Sequence, residues 1–570
     1  MKGIPASEGI GVANALIIQV QQMVIETQLV DDTNSEMIRL NDALAEVGEQ
    51  LESLRVATAK SIGKKEAEVF EAHKMFLQDP EWIGQINKMV TQEKRTASFA
   101  VEQVTKGFVQ LFESIEDAYL RERATDLKDV SQRLLRNLLK LPEMDLNHLE
   151  TPVILVAKDL QPSQTAGLDK EKIKGIVTEM GNTTSHTAII ARTLGIPAVV
   201  GMSGALVKIS NGDVLAIDGA TGEVFVNPDD GILKDFENRK KAYVLQQNTF
   251  ETVRGLSSQT LDGRTLEVAG NIGKSKDVSL ILENDGEGIG LFRSEFVFMD
   301  RDVAPTEDEQ FEAYKHVISE INGKPVIIRT LDAGGDKHIP YLNIDEEMNP
   351  FLGYRAIRIC LDDDALFKTQ LRAILRASVY GKCKIMFPMI ARVEEVRRAK
   401  AVLESVKEAL RSEGIKFDEG VPVGIMIEVP SAAVMADVLI EEVDFFSIGT
   451  NDLTQYTLAA DRMNEKLSEL YSTFDPAVIR LIYQVIQAGN RAGKMVGMCG
   501  EAASDPLLIP LWLGMGMDEF SVSPSKILAT RFYLRKLTQN KLEPLVAAVL
   551  KSRSKEEIKI ILEAFSKEVY

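Results

Sequence analysis

The stretch VGIMIEVPSAAVMADVLIEEVDFFSIGTND, residues 423–452, holds two short apolar runs, VGIMI and DFFSI, each followed at its C-terminal end by a carboxylate, Glu428 and Asp452. Runs of four to eight β-branched and aromatic residues bounded by Gly, Pro, Asn or Asp read as buried strands, and the longer stretch between them reads as a helix. Two parallel strands joined by such a crossover bring both acids to one end of a sheet. The same texture recurs on either side. EVAGNI (267–272), GIGLFRSE (288–295), PVIIRTLD (325–332) and KIMFPMI (384–390) come before it, and MVGMCGE (495–501) and EFSVSP (519–524) come after. Eight strands alternating with helical segments over residues 259–570 predict a (β/α)8 barrel, whose chemistry belongs where strands run into the loops that follow them.

Upstream, residues 231–258 are charged, carry no strand signal and are expected to form a linker helix. Before them, TPVILVAKDL, GIVTEM, AVVGM, VLAID and EVFVN are again strand-like runs separated by turn residues, and GVANALII near the N-terminus has the same character. Residues 1–21 and 146–230 are therefore expected to form a smaller α/β domain, with residues 22–145 inserted as a helical subdomain. Met37, Leu40, Leu44, Val47, Leu51 and Leu54 follow the alternating three-and-four spacing of one helix face. At Asp79-Pro80 an acidic cap and a first-turn proline start another helix.

Bulk properties narrow the partners. The 570 residues are 45% hydrophobic and 26% charged, as in ordinary globular proteins, and no apolar run approaches the ~18 residues of a membrane span. The N-terminus lacks the apolar core of a signal peptide, so a cytoplasmic location is expected. A formal charge of −19 disfavours nucleic acid and anionic lipid, both of which need a basic footprint, and suits a basic protein partner. Three cysteines without CxxC spacing, Cys360, Cys383 and Cys499, argue against a disulfide frame and a structural zinc site.

In GNTTSHTAIIARTLGIPAVVG, residues 181–201, a turn leads into His186 and an apolar-periodic helix follows. Unpaired N–H groups and the helix dipole at that position favour an anion, and a neutral imidazole keeps a nucleophilic nitrogen. Taken alone, the motif favours a capping histidine with no chemistry. Together with GIPASEGI at the start and LQPSQTAGL at 160–168, it resembles enzyme I of the bacterial phosphotransferase system, within the family of phosphoenolpyruvate-utilising enzymes. The resemblance implies a swivelling phosphohistidine domain, a phosphoenolpyruvate-binding barrel and a phosphoenolpyruvate-protein phosphotransferase activity. The phosphoryl group would pass from phosphoenolpyruvate to His186, with release of pyruvate, and then to the histidine phosphocarrier protein HPr, as the first step of sugar uptake. It also implies phosphorylation of His186 on Nε2, with Thr165 at the position that bonds the other ring nitrogen. Asn182 departs from the pattern, which commonly has a second glycine there.

The same resemblance assigns the barrel residues. Arg293, Arg329 and Arg462 would clamp the phosphate, Asn451 and Asp452 would contact the substrate, and Arg355, Arg358 and Lys337 match further basic positions. Guanidinium groups suit phosphoryl oxygens because they bind in a bidentate way, although any single one of these arginines could equally form a surface ion pair. Glu428 and Asp452 would hold Mg2+, which commonly takes one or two carboxylates and leaves its other positions to water and substrate. Cys499 would donate a proton to C3 of the enolate, as a thiol of ordinary pKa near ~8.5 is able to do. Cys360 and Cys383 are expected to be small core residues. On the helical insert, His73, Met75, Phe76 and Leu77, rimmed by Asp79 and Glu81, match the carrier-binding face, and family members dimerise through the barrel.

Two other readings compete with this one. A dikinase or phosphoenolpyruvate synthase needs an ATP-grasp domain, for which 570 residues leave no length, and lacks the helical insert. A catalytically silent regulatory relative is expected to have lost His186, Cys499 or a metal carboxylate, and all are present.

Overall fold

The computed structural model describes every residue except 19–22, 24, 26, 28, 62–63, 115–117, 142–145, 147–148, 161, 166–167, 170, 183–184, 300, 335–336, 338, 343, 346 and 468. The chain divides into two compact units, Met1–Gln246 and Gln247–Tyr570.

The first unit begins with β1 (Ile4–Ser7) and β2 (Ile10–Ile18), continues through five helices, and returns with β3 (Val153–Ala157), β4 (Ile173–Thr178), β5 (Ala198–Val200), β6 (Val214–Asp218) and β7 (Glu223–Val226). These strands form one sheet in the order β1-β5-β4-β3-β2-β6-β7. β2 is held on both sides, since Ile10–Asn14 pairs antiparallel with β6 and Asn14–Ile18 pairs parallel with β3. The helical segment thus interrupts a sheet whose strands come from both of its flanks.

The helices are α1 (Thr33–Ser61), α2 (Lys64–Phe76), α3 (Pro80–Thr91), α4 (Ala97–Ser114) and α5 (Ala118–Leu138). Along α1 the seam turns inward: Leu40, Val47 and Leu51 are buried, and Met37, Leu44 and Leu54 pack against the same core. Asp79 accepts a hydrogen bond from the Trp82 N–H at 2.8 Å and so caps α3, with Pro80 in its first turn. The expected domain edges near 22 and 145 fall outside the described residues. The charged stretch is helical from Asp230 to Glu251 and turns thereafter, so the helix stops short of the expected residue 258.

The second unit is a closed barrel of eight parallel strands: β8 (Glu267–Ile272), β9 (Ile289–Arg293), β10 (Val326–Arg329), β11 (Cys383–Phe387), β12 (Val423–Ile427), β13 (Phe445–Ile448), β14 (Met495–Met498) and β15 (Glu519–Val522). All eight strand-like runs are strands, and the α/β class with a C-terminal (β/α)8 barrel holds. The larger core lies between the strands and the surrounding helices. Leu291, Ile327, Met386, Met426, Phe445 and Cys499 cluster within the ring itself. Cys360 and Cys383 are buried, as expected of small core residues. Among the described residues no helix is long and apolar enough to cross a membrane.

Candidate active site

In the first unit the helix His186–Leu194 starts at Ser185, whose Oγ accepts from the Ala188 N–H at 3.4 Å. Gly195 ends it in a left-handed turn. His186 therefore provides the first helical residue, where N–H groups lack intrahelical acceptors; its imidazole lies outside the described residues, as do Thr183 and Thr184. Thr187, one residue on, donates to Asp159 Oδ1 at 3.2 Å, which ties the helix start to the loop after β3. The left-handed backbone of the preceding turn falls at Gly181 (φ 102°) and not at Asn182, so the departure from a second glycine costs no strain. Thr165 is buried.

In the second unit the charged residues that end the strands form one continuous chain of ion pairs. Arg329 donates to Glu295 Oε1 at 2.7 Å and lies 3.0 Å from Asp332 Oδ2. Lys337 reaches the same two carboxylates at 2.7 and 3.0 Å. Asp332 also meets Arg355 at 2.9 Å, Arg355 lies 3.3 Å from Asp452, and Asp452 accepts from Arg462 at 2.8 Å. Burial alone would raise the Asp332 carboxyl, but Arg329, Lys337 and Arg355 together hold it well below the usual carboxylate range. Nε of Arg329 and Nε of Arg355 are buried donors with no acceptor among the described residues. Arg293 stands exposed at the end of β9, with no ion-pair partner among the described residues.

Glu428 is buried beside this chain and accepts from the Met389 N–H at 2.6 Å, where Met389 itself is left-handed (φ 55°). Burial, and then the charges of Asp452 and Asp332, push the Glu428 carboxyl up to about 8. Two mutually repelling carboxylates at neighbouring strand ends are a donor set that a hard divalent cation relieves, so Glu428 and Asp452 fit Mg2+. Among the described residues no group of three or more His, Cys, Asp or Glu side chains is arranged to hold a metal ion. Asn451 accepts from the Glu501 N–H at 3.3 Å, which fixes it beside Asp452.

Cys499 follows β14 and is 5% exposed, its thiol donating to the Ile448 carbonyl at 3.8 Å. Burial pushes this thiol up to about 11, so the assumption of an ordinary thiol is corrected: at neutral pH it is more fully protonated than the sequence implied. A cavity of about 530 Å3 is lined by Phe351, Arg358, Met389, Val429, Tyr456 and Asp461 among others, a volume suited to a small metabolite. Arg355 and Arg462 both lie over the Phe351 ring, at 5.8 and 5.6 Å.

The structure thus brings Arg329, Lys337, Arg355, Arg462 and Asp452 into one network. It sets Arg358 apart, because that guanidinium donates to the carbonyls of Leu352 and Gly353. Glu295 and Asp332, the shared counter-ions of the network, were not singled out by sequence reading. Both lie within quoted runs, GIGLFRSE and PVIIRTLD, and an acid two or three residues after a strand-end arginine was the available signal.

On the helical insert two expected contact residues point inward. His73 is fully buried, with Nε2 3.4 Å from Asp126 Oδ1, and Leu77 is buried as well. Both are set by helix packing, which leaves exposed Met75, half-buried Phe76 beneath Arg123 and exposed Glu81 as the outward residues.

Three family models match the chain: the PEP-utilising enzyme N-terminal region over residues 2–123, the mobile domain over 149–222 and the PEP-binding domain over 247–539. A phosphoenolpyruvate-protein phosphotransferase of Priestia megaterium is 46% identical over 558 residues, covering 98% of this chain and 97% of that protein. One of Enterococcus faecalis is 46% identical over 571 residues, covering 100% of this chain and 99% of its own length. An NMR solution structure of Enzyme I is 38% identical and covers 43% of this chain and 99% of its own, with a TM-score of 0.39. With the full length matched at that identity, the chain belongs to the phosphoenolpyruvate-utilising enzymes, in the group of phosphoenolpyruvate-protein phosphotransferases.

Proposed function

We propose that the phosphoryl group of phosphoenolpyruvate is taken by His186 and passed to a histidine phosphocarrier protein of the HPr type. The observation that carries this reading is the run of cations Arg329, Lys337, Arg355 and Arg462 along the strand ends, close to a buried thiol that stays protonated. Phosphoenolpyruvate is a small polyanion, and transfer of its phosphoryl group leaves an enolate that must gain a proton at C3. Arg293, Arg329 and Arg462 would bind phosphoryl oxygens, with the arginine forks preorganised by Glu295, Asp332 and Asp452. Arg355 and Lys337 support them through the same carboxylates. Asn451 and Asp452 would position the substrate, and Cys499 would give its proton to C3.

Glu428 and Asp452 would hold Mg2+, which when bound supplies positive charge against the carboxylate and enolate oxygens of the substrate. His186 would act as nucleophile at the start of its helix, where N–H groups and the dipole favour the acquired phosphate, and Thr165 would hold the other ring nitrogen. The assigned domains are the α/β phosphohistidine domain, the helical carrier-binding insert, the linker helix and the barrel. His186 must serve a donor and an acceptor in turn, so a swivelling of its domain about the helix Asp230–Glu251 is part of the proposal. A net charge of −19 and the exposed Met75 and Glu81 suit a basic carrier surface. A cytoplasmic homodimer joined through the barrel completes the reading.

The test is incubation of the full chain with Mg2+ and labelled phosphoenolpyruvate. Acid-labile phosphate on His186 with one pyruvate released per phosphate is expected, and none on His186→Ala. Phosphate retained by His186→Ala, or ATP serving as donor, would overturn the reading.

A further inference from the structure

Arg355 is 1% exposed, and its guanidinium must find acceptors inside the protein. Nη2 is shared between Asp332 Oδ1 and Asp452 Oδ2, at 2.9 and 3.3 Å, while Nε has no acceptor among the described residues. Nη1 donates to the Tyr456 hydroxyl at 3.2 Å. Tyr456 lies on the helix Thr450–Leu458, four residues after Asp452. That spacing puts the two side chains on one helix face, and both meet Arg355. The hydroxyl also donates, to the Phe351 carbonyl at 2.5 Å, with Met389 Sδ farther off at 3.9 Å. Burial above all pushes the phenol up to about 12, so it keeps the proton it needs to donate to a carbonyl while accepting from a guanidinium.

The Phe351 turn has little else to hold it. It is a single 3-10 turn, Pro350–Leu352, in a segment where Met348 is 95% and Leu352 65% exposed, so burial fixes it weakly. Among the described residues the neighbouring side-chain hydrogen bonds are local: Arg358 donates to the Leu352 and Gly353 carbonyls, and Glu347 accepts from the Tyr354 N–H. Phe351 and Tyr456 both line the cavity of about 530 Å3, so on that side they border open space. Yet two cations rest on this one ring, Arg355 at 5.8 Å and Arg462 at 5.6 Å. Gln455, beside Tyr456 on the same helix, accepts from the Arg462 N–H at 3.0 Å.

We infer that Tyr456 is a positioning residue for the substrate-binding cations: its hydroxyl fastens the Phe351 turn to Arg355, and the Phe351 ring then seats both Arg355 and Arg462. Tyr456 touches no reacting atom and acts through those two arginines. The inference rests on the proposed role of Arg462 in holding the phosphoryl group. The phosphate and carboxylate of phosphoenolpyruvate are charged before and during transfer, so cations held ready for them bind the ground state and the transition state alike. Losing such binding raises KM and leaves kcat in place.

The test follows pyruvate release by the full chain with Mg2+, HPr as acceptor and varied phosphoenolpyruvate. Tyr456→Phe removes one oxygen and keeps the ring, so the packing is little altered. Its KM for phosphoenolpyruvate is expected to rise about tenfold, the worth of one hydrogen bond to a charged group, with kcat within about twofold of wild type. Phe351→Leu keeps the backbone carbonyl but removes the ring, and should raise KM as well. Because both residues hold the same two arginines, Tyr456→Phe should add less than about threefold in the Phe351→Leu background. A tyrosine that merely filled space would cost the same in either background. An unchanged KM in Tyr456→Phe, a loss confined to kcat, or full-sized effects that multiply in the double variant would overturn the positioning role. Arg462→Ala run in parallel should raise KM; if it does not, the phosphate-binding role of Arg462 falls, and the inference with it.

Discussion

At the scale of single residues, Glu519 carries a stability signature. Its carboxyl is pushed up to about 8 in the fold by burial and then by Glu267, against 4.5 for the free side chain, so the folded chain binds this proton more tightly than the unfolded one. Stability from this group is therefore greatest below about pH 4.5 and declines as pH rises through the window to about 8, beyond which it is flat. Glu519→Gln removes the dependence. At 1.36 kcal/mol per pKa unit the ceiling on the effect is about 4–5 kcal/mol. The melting temperature of the variant's barrel should gain on wild type between pH 5 and pH 8, and a constant difference across that range would refute the assignment. The sequence gives no sign of such a group, because a buried acid inside a barrel differs from an exposed one only by its environment. Arg329, Glu428, Asp452 and Cys499 were legible since each ends a strand run within a distinctive motif. Asp332 belonged to such a motif too, with Arg329 three residues before it, yet nothing in the sequence pairs it with Arg355, 23 residues on.

At the scale of elements, the barrel strands were readable because each is an apolar run buried on both faces, and α1 because its apolar seam keeps helical period. Less readable was which side of a helix end faces solvent. His73 and Leu77 close α2 and its turn and share the motif of Met75 and Phe76, but the bundle core claims the first pair. Asp79, read as an acidic rim residue, is occupied as the cap of α3. The two acids of the proposed rim should therefore respond differently. Asp79→Ala is expected to cost about 1 kcal/mol of the helical block's stability, the usual worth of an N-cap. Glu81 is exposed and, among the described residues, bonded only to Gln85 one turn on, so Glu81→Lys should leave the helix content intact, slow phosphoryl transfer to HPr and leave phosphorylation by phosphoenolpyruvate unchanged. Thermal circular dichroism and carrier-transfer rates on both variants decide it, and an unchanged transfer rate in Glu81→Lys would remove Glu81 from the carrier face.

At the scale of the whole molecule, the two compact units each have their own hydrophobic core, and the residues proposed to bind phosphoenolpyruvate, apart from the nucleophile His186, all belong to Gln247–Tyr570, whereas those proposed to meet the carrier all belong to Met1–Gln246. A ligand that binds only the folded form of one unit stabilises that unit by RT ln(1 + [L]/Kd), about 2.7 kcal/mol at a hundredfold excess over Kd. For units of this size each kcal/mol moves the midpoint by roughly 2–4 °C, so saturating ligand should raise it by about 5–10 °C. Calorimetry of His186→Ala, which cannot turn the substrate over, is expected to resolve two transitions. Mg2+ with phosphoenolpyruvate should raise the one belonging to the barrel, and HPr should raise the other. If each ligand moved both transitions equally, the units would be melting as one body, and the division of donor and acceptor chemistry between separately stable parts would have to be abandoned.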